Sequence, residues 1–532
     1  MEMKNLKLYI PIIVLLLIAC KKTFLDTEDV TSATEQNFYK TTDDAWKALV
    51  GVYDGLQRAG SSGSGLQVTA TEVMSDDAFG GTGNADGLGF QMMDEFDKLR
   101  SPSDQDMFGD NWNTYYKGIY RANMLLTHLD QVDWKGNTNL RKVYESETRF
   151  IRAFLYFDMV RFWGNIPLVT KSTQENLPQA SPDSVYRLIA EDLKFAAANL
   201  PATSYGAQAV STHGRITKWA AEALIGRVFL YYTGYYNKAD LVGSVSTAQA
   251  LAYLEDVITN GGFGLVSNFA NLWPAASIAN YAGEDNKETV FSIKYTYTSD
   301  WNGNVDGNHW MVMNGIRVQS IYPYGMGWGA NTVNPKLWNA YDANDTRRNA
   351  TIISIADENL DFQNKKDQRE YTGYYLKKYS PLADATGKSL AEKVGGVSFM
   401  ISQFQDYVSI RYADVLLMAA ELGSTNAQKY FDDVRKRAFG ANFVQIPVNK
   451  TNIMNERRFE FAGEGIRYWD LLRQGISTAA STIAETTTLE NGGVSTAKTI
   501  SAANISKTKG LSQIPNSQIT LSNGVLKQNE GW

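Results

Sequence analysis

Between Trp46 and Leu56 the apolar residues Trp46, Leu49, Val50, Tyr53 and Leu56 recur at helical spacing. Thr42, Asp43 and Asp44 supply a cap and an acidic first turn in front of them, so the pattern predicts an amphipathic helix. From Gly60 to Gly89 the period vanishes and eight glycines appear, which predicts a loop with short strands at most. Helical texture returns over 106–129. From Val143 to Trp163 one stripe holds Phe150, Phe154 and Phe157 while a second holds Ile151, Leu155 and Met159, the mark of a helix covered on more than one side. Further helices are predicted over 182–199, 218–232 and 248–259. Paired helices on short connections predict a solenoid of the tetratricopeptide kind, without a clean 34-residue consensus.

The texture changes between about 261 and 407. Gly, Asn and aromatic residues dominate, and only Thr289 to Thr298 alternates like a strand, so this stretch is read as an irregular insertion with short strands. Helices resume over 410–421, 426–438 and 452–473, and a Ser/Thr/Ala-rich tail occupies 476–532. The fold class expected is mainly α: one domain over 20–532, with a helical scaffold over about 20–260 and 408–475 and a loop-rich insertion between them.

The N-terminus carries a separate signal. Lys4 and Lys7 precede an apolar run from Leu8 to Ile18, and Leu17-Ile18-Ala19 leads into Cys20, the sole cysteine of 532 residues. A basic end, a short apolar core and a small residue before the cut define a cleaved leader. The 12 residues from Leu8 to Ala19, broken by Pro11, fall short of the roughly 20 that a membrane span needs. An ordinary secretory signal would accept many residues after Ala19, so a thiol at that point favours a lipoprotein signal over 1–19 and acylation at Cys20. Acyl chains then anchor the protein at about 0.8 kcal/mol per buried methylene.

Composition narrows the partners. The net charge is −6, and removal of the +1 leader makes it −7, which disfavours nucleic acid because such binding needs clustered Lys and Arg. His128, His213 and His309 stand far apart and form no metal-ligand spacing. Gly387-Lys388-Ser389 imitates the end of a phosphate loop, but Leu382 sits where its first glycine belongs. Calcium stays open, since scattered oxygen ligands leave no spacing signature. Glu464 with Arg467, Arg467 with Asp470 and Asp470 with Arg473 are each three apart, as helix-surface ion pairs are. These charges, and Arg411, Asp414 and Glu421, are read as stitching helices. A carboxylate pair for glycoside cleavage is the lesser alternative.

Candidate chemistry concentrates between Tyr295 and Tyr341, where nine Trp and Tyr residues fall within 47 positions. Flat apolar rings beside Asn, Gly and Arg suit a sugar, whose C–H face stacks while its hydroxyls take hydrogen bonds. The predicted ligand residues are Trp301, Trp310, Arg317, Tyr322, Tyr324 and Trp328; Trp338 and Tyr341, on a helix-like stretch, are weaker candidates. The glycine-rich early loop, through Asp76, Asp77 and Phe79, is expected to form a facing wall, and Asp77 and Phe79 complete the candidate set.

Several blocks occur in the order found in one family. They include FLDTEDV from Phe24, WKALVGVYDGL from Trp46, FIRAFLYFDMVRFWGNIPLV from Phe150 and RITKWAAEALIGRVFLYY from Arg215. GWG at 327–329, LWNAYDANDTRRNATI from Leu337, RYADVLLMAAE from Arg411 and ERRFEFAGEGIRYWDLLRQG from Glu456 follow. The chain closes on QIPNSQITLSNGVLKQNEGW, which departs from the family's PIP, NP and QNPGY-like ending at Gln513, Gln518, Gly524 and Glu530. In these blocks the chain resembles the SusD/RagB family of outer-membrane nutrient-binding lipoproteins. That resemblance implies one α-rich fold with tetratricopeptide-like helix pairs, and ligand-binding loops presented by the insertion. It implies no catalytic residue, metal or cofactor. The implied role is capture of an oligosaccharide at the cell surface, anchored in the outer membrane by lipid, for a SusC-like TonB-dependent transporter. The alternatives are a peptide cargo for the same kind of transporter and, less well supported, a surface glycosidase.

Overall fold

The computed structural model describes residues 38–61, 67–100 and 106–532; the leader and Cys20 lie outside them. Eight helices pack each against the next in chain order. They are α1 (Thr42–Ser61), α2 (Gly109–His128), α3 (Thr138–Trp163), α4 (Pro182–Asn199), α5 (Lys218–Tyr235), α6 (Thr247–Asn260), α7 (Tyr412–Glu421) and α8 (Ala427–Phe439). The series passes from α6 to α7 across some 150 residues of intervening chain, so the insertion leaves the stacking of the scaffold unbroken. The helix starts are chemically set. The Thr41 hydroxyl accepts from the Asp44 amide at 3.1 Å while the Asp44 carboxylate takes the Thr41 amide at 2.9 Å. Ser246 and Gln249 close a full capping box on α6. The cap of α1 is therefore Thr41, one residue ahead of the position read from the sequence.

α3 is buried from Phe150 through Trp163 without interruption, as its two apolar stripes require. It occupies the centre of the main core, where Phe150 and Phe154 meet Phe291 edge-on. α1 and α2 cross at a pair of glycines, where a Cβ on Gly55 would stand 2.9 Å from the Cα of Gly118. Nothing larger than hydrogen fits that crossing.

The insertion is gathered at a neck. Thr289–Ile293 (β2) pairs antiparallel with Tyr407–Arg411 (β6), so the chain enters and leaves the insertion side by side. Only the first half of the predicted 289–298 strand forms. Beyond the neck, Ala78–Gly80 (β1), Asn331–Val333 (β3), Ile352–Ser354 (β4) and Tyr374–Leu376 (β5) form one sheet in the order β1-β3-β5-β4. Ala78 lies opposite Val333, so the early glycine-rich loop joins the insertion's own sheet.

Buried charge locks the insertion to the scaffold. Five cations (Arg347, Lys378, Arg411, Arg435 and Arg437) meet five carboxylates (Glu288, Asp345, Glu456, Glu460 and Glu464). Arg411 alone reaches Glu288 at 2.6 Å, Glu460 at 2.9 Å and Glu464 at 2.9 Å. Asp414 accepts from Arg227 and Arg457, and Glu421 from Arg473, so these groups do hold neighbouring helices together.

The pairing expected along 464–473 is corrected in two of its three members. Glu464 pairs with Arg411 and Lys378, and Arg467 with Asp76 at 2.8 Å; only Asp470 with Arg473 forms, at 2.8 Å. The single helix expected over 452–473 is broken into Lys450–Phe461 (α9) and Arg467–Leu472 (α10). Gly463 and Gly465 adopt positive φ of 78° and 73° between them, and the turn they make swings Glu464 away from Arg467.

The C-terminal stretch is folded. After helix Ile476–Ile483, Glu485–Asn491 (β7) and Val494–Ile500 (β8) form a hairpin turned by Gly492 and Gly493, both at positive φ. Beyond it, Ile505, Ile514 and Leu526 enter the main core.

Candidate functional site: an aromatic surface on the insertion

Two turns of the insertion place rings in solvent. In the first, the Asp300 carboxylate accepts from the amides of Asn302 at 2.8 Å and Asn304 at 3.2 Å, and the Asn304 side chain donates to Thr298 O at 2.8 Å. These bonds make a short self-braced loop, and Trp301 projects from it 66 % exposed. Its base is fixed to the segment before β6 by Asn308, whose amide donates to Gln403 O at 2.7 Å and whose side chain donates to Gln405 O at 2.7 Å. Tyr297, on the stem of the same loop, meets Phe404 edge-to-face at 6.3 Å, both rings being exposed.

The second turn carries Tyr322, 61 % exposed. Ile321 and Tyr324 exchange backbone hydrogen bonds across it at 2.9 and 2.8 Å, and Ser320 Oγ accepts from the Met326 amide at 3.1 Å. Trp328, after the second turn in the chain, is half-buried. The ring of His309, the residue into which the Trp301 loop runs, packs edge-on against it at 5.0 Å. Burial lowers the His309 pKa to about 4, so this imidazole is neutral at physiological pH, and its Nε2 has no hydrogen-bond partner within the protein. Arg317 borders the same surface, half-buried and paired with Asp86 at 3.2 Å and Asp367 at 2.9 Å. Asp86 belongs to the early loop, whose Asn84 amide donates to Asp367 O at 3.2 Å. Residues some 230 positions apart in sequence thereby share one rim.

The remaining predicted residues face inward. Trp310 is 1 % exposed, packed against Tyr379 at 4.0 Å with its ring tilted and edge-on to Tyr407 at 5.3 Å. Tyr324 is 3 % exposed and donates to Glu358 at 2.5 Å. Phe79 lies in the main core on β1, and the buried Asp77 carboxylate is paired with Arg458 at 2.6 Å. The early loop is thus not a facing wall through Asp76, Asp77 and Phe79: Arg467 and Arg458 hold the two carboxylates and Phe79 enters the main core, and its surface contribution comes from Asn84 and Asp86. Trp338 packs on Tyr374 and Tyr341 on Phe459. Of the candidate residues, Trp301, Tyr322, Trp328 and Arg317 reach the surface. Tyr297, Phe404, His309 and Asn84 join them there. Phe404 and Asn84 lie outside the aromatic cluster of the sequence, and only the pairing of distant segments reveals them.

The Gly387-Lys388-Ser389 stretch forms a surface turn in which Asp384 accepts from the Thr386 and Lys388 amides at 2.9 and 3.1 Å. Among the described residues no helix is long and apolar enough to cross a membrane.

Comparison with known proteins agrees along the chain. The profile described as "SusD family" matches residues 355–532, and one described as "Starch-binding associating with outer membrane" matches residues 25–230. A SusD-like protein of Formosa agariphila is 25% identical over 502 residues, covering 88% of this chain and 91% of its own. A SusD-like protein of Bacteroides ovatus is 25% identical over 494 residues, covering 88% and 82%. Among solved structures, a "Laminarin binding SusD-like protein" superposes with a TM-score of 0.73 at 28% identity, covering 93% of this chain and 100% of its own. The surface glycan-binding protein A of Bacteroides fluxus shares the fold, with a TM-score of 0.76 at 23% identity over 93% of this chain and all of its own.

Proposed function

We propose, the chain being a member of the SusD/RagB family, whose glycan-binding proteins are non-catalytic, that it captures an oligosaccharide at the outer face of the outer membrane and hands it to a SusC-like TonB-dependent transporter. One observation carries the reading: Trp301 stands 66 % exposed on a turn braced by the Asp300 carboxylate and the Asn304 side chain. A soluble protein gains nothing from holding a large ring rigidly in water, whereas a sugar gains a pre-oriented platform for its C–H face. Trp328 and Tyr322 supply further rings. Arg317 and Asn84 stand where hydroxyls would need hydrogen bonds. Cys20, acylated after cleavage of residues 1–19, would tether the protein, and the described chain needs no spanning helix for that.

Support for a glycan comes from the 28% identical relative whose description is laminarin-binding, and for the location from the outer-membrane description of the N-terminal profile. Isothermal titration of the soluble protein from residue 21 onward with laminarin, starch and cellulose oligosaccharides tests the reading. Binding of at least one is expected, with Trp301→Ala weakening it at least tenfold, the size of an interface anchor of about 1.4 kcal/mol or more. Unchanged affinity in Trp301→Ala would remove the site. Binding of oligopeptides alone would replace the cargo.

A further inference from the structure

Asparagine followed by glycine is a chemically labile pair, because the glycine amide nitrogen can attack the asparagine side-chain carbonyl with no Cβ in the way. The chain holds five such pairs, at Asn260, Asn302, Asn314, Asn491 and Asn523. In four of them the nitrogen that would attack is held. The amide of Gly261 donates to Val257 O, that of Gly315 to Met311 O, that of Gly492 to Gln368 O and that of Gly524 to Ile519 O, all at 3.0–3.1 Å. Three of those asparagine side chains are engaged as well. Asn260 donates to Asp256 at 2.6 Å, while Asn314 accepts from Asn331 at 2.6 Å and Asn491 from the Glu370 amide at 3.0 Å.

Asn302-Gly303 differs on every count. It lies on the turn that carries Trp301, and both residues are exposed. Among the described residues, neither the Gly303 amide, nor the Asn302 carbonyl, nor the Asn302 side chain has a hydrogen-bond partner. Gly303 takes φ of 105°, and nothing stands within 4 Å of where its Cβ would be, so there is room for a ring to close. The bonds of the turn bracket this peptide without holding it. The Asp300 amide donates to Asn304 O at 3.0 Å, and the Asp300 carboxylate takes the amides of Asn302 at 2.8 Å and Asn304 at 3.2 Å.

We infer that Asn302 is a site of spontaneous deamidation, and that its conversion releases the turn that holds Trp301. The Gly303 nitrogen, its proton lost to solvent, attacks Asn302 Cγ. A C–N bond closes a five-membered succinimide, and the side-chain nitrogen leaves as ammonia with a proton from water. A water molecule then opens the ring. Breaking the bond to Cγ yields aspartate, and breaking the bond to the backbone carbonyl carbon yields a chain routed through the side chain. The first product puts a third carboxylate on a turn that already carries Asp300 and Asp306. The second inserts a methylene between the two amides that Asp300 holds, so one of those bonds must open and a ligand meets the cost of ordering the ring. The chemistry at Asn302 stands by itself; its effect on affinity rests on the glycan reading above.

The test is incubation of the protein in mildly alkaline heavy-oxygen water, with peptide mapping by mass spectrometry at intervals. The peptide containing residue 302 should take up solvent oxygen at least tenfold faster than those of the other four pairs and divide into aspartyl and isoaspartyl forms. Asn302→Gln, whose longer side chain closes such a ring far more slowly, should stay intact. Affinity for whichever of laminarihexaose, maltohexaose and cellohexaose binds should fall at least tenfold in the converted protein and hold in Asn302→Gln after the same incubation. Conversion at 302 no faster than at the other four pairs overturns the inference. Full conversion with unchanged affinity overturns the release of the turn. Where the fresh protein binds no saccharide, the glycan reading fails, and rapid conversion at 302, read from mass alone, still sustains the deamidation site.

Discussion

Arg347 is the perturbation that most directly tests how the insertion is held. Its side chain is fully buried and makes four bonds of 2.6–3.1 Å that decide the matter: Nε and Nη2 to Asp345, and Nη1 to Glu456 Oε1 and Glu460 Oε2. In Arg347→Met the three carboxylates fare differently. Glu456 keeps Arg435 at 2.8 Å, and Glu460 keeps Arg411 at 2.9 Å as well as Arg437. Asp345, 4 % exposed, keeps only the amide of residue 347. The damage is one stranded buried charge, worth about 3–5 kcal/mol. With an unfolding entropy of about 2.1 cal/mol/K per residue, a chain of roughly 500 residues has about 1 kcal/mol/K, so Tm should fall by about 3–5 °C. Calorimetry of Arg347→Met, Asp345→Asn and the double variant is the assay. The double variant should recover most of the loss, because no unpaired charge remains. A Tm within 1 °C of the parent, or a double variant worse than the sum of its parts, would refute the account of a charge-matched clamp.

Three further outcomes follow from particular groups. Glu72 is raised to about 8, first by burial, against an ordinary value of 4.5. The folded state therefore binds a proton that the unfolded chain releases, its contribution is full below about 4.5 and is lost as pH rises toward 8, and Glu72→Gln should flatten the fall in Tm between pH 5 and 8; an unchanged slope would count against it. Asp414 behaves oppositely, held far below the carboxylate range by Arg457 and Arg227 against the cost of burial, so its contribution is present above its unfolded pKa and is lost as pH falls below it; Asp414→Asn should lower the urea midpoint at pH 7 and reduce the difference from the parent at pH 3. Gly55→Ala would press a methyl within 2.9 Å of the Gly118 backbone and cost about 1–3 kcal/mol, whereas Gly51→Ala, with nothing within 4 Å on the same helix, should gain about 0.5–1 kcal/mol; equal Tm values for the two would refute the close crossing.

The scaffold was legible because helical periodicity is local. α3 announces its burial through two apolar stripes within one segment, and α5 through α8 follow from the same signal. The break between α9 and α10 was not, because Glu464, Arg467, Asp470 and Arg473 keep a helical three-residue charge spacing across Gly465, and only the packing of Glu464 against Arg411 and Lys378 selects the turn. In the insertion the aromatic excess pointed to the right segment but could not sort inward from outward rings. Trp310 and Trp301 are equivalent in the sequence; a short helix buries the first and an Asp-braced turn exposes the second. Phe404 and Asn84 were invisible for a different reason, since each reaches the surface beside those rings through pairing with chain far away in sequence.

The same pairing accounts for how loops can form a binding surface at low entropic cost. Fixing a residue's backbone costs about 1–2 kcal/mol, and a ligand that had to order the Trp301 and Tyr322 turns on arrival would forfeit much of its contact energy. Here that cost is met on folding. Asn308 bonds the base of one turn to residues 403 and 405, the β2–β6 neck fixes the entry and exit of the insertion, and Arg347 and Arg411 tie its sheet and neck to α9. Rigid support therefore runs from the helical stack through buried charge to the exposed rings. Because the clamp's ion pairs involve none of the exposed rings Trp301, Tyr322 and Trp328, loosening it through Arg347 should reduce ligand affinity by restoring an ordering cost, whereas Trp301→Ala should reduce affinity with stability unchanged.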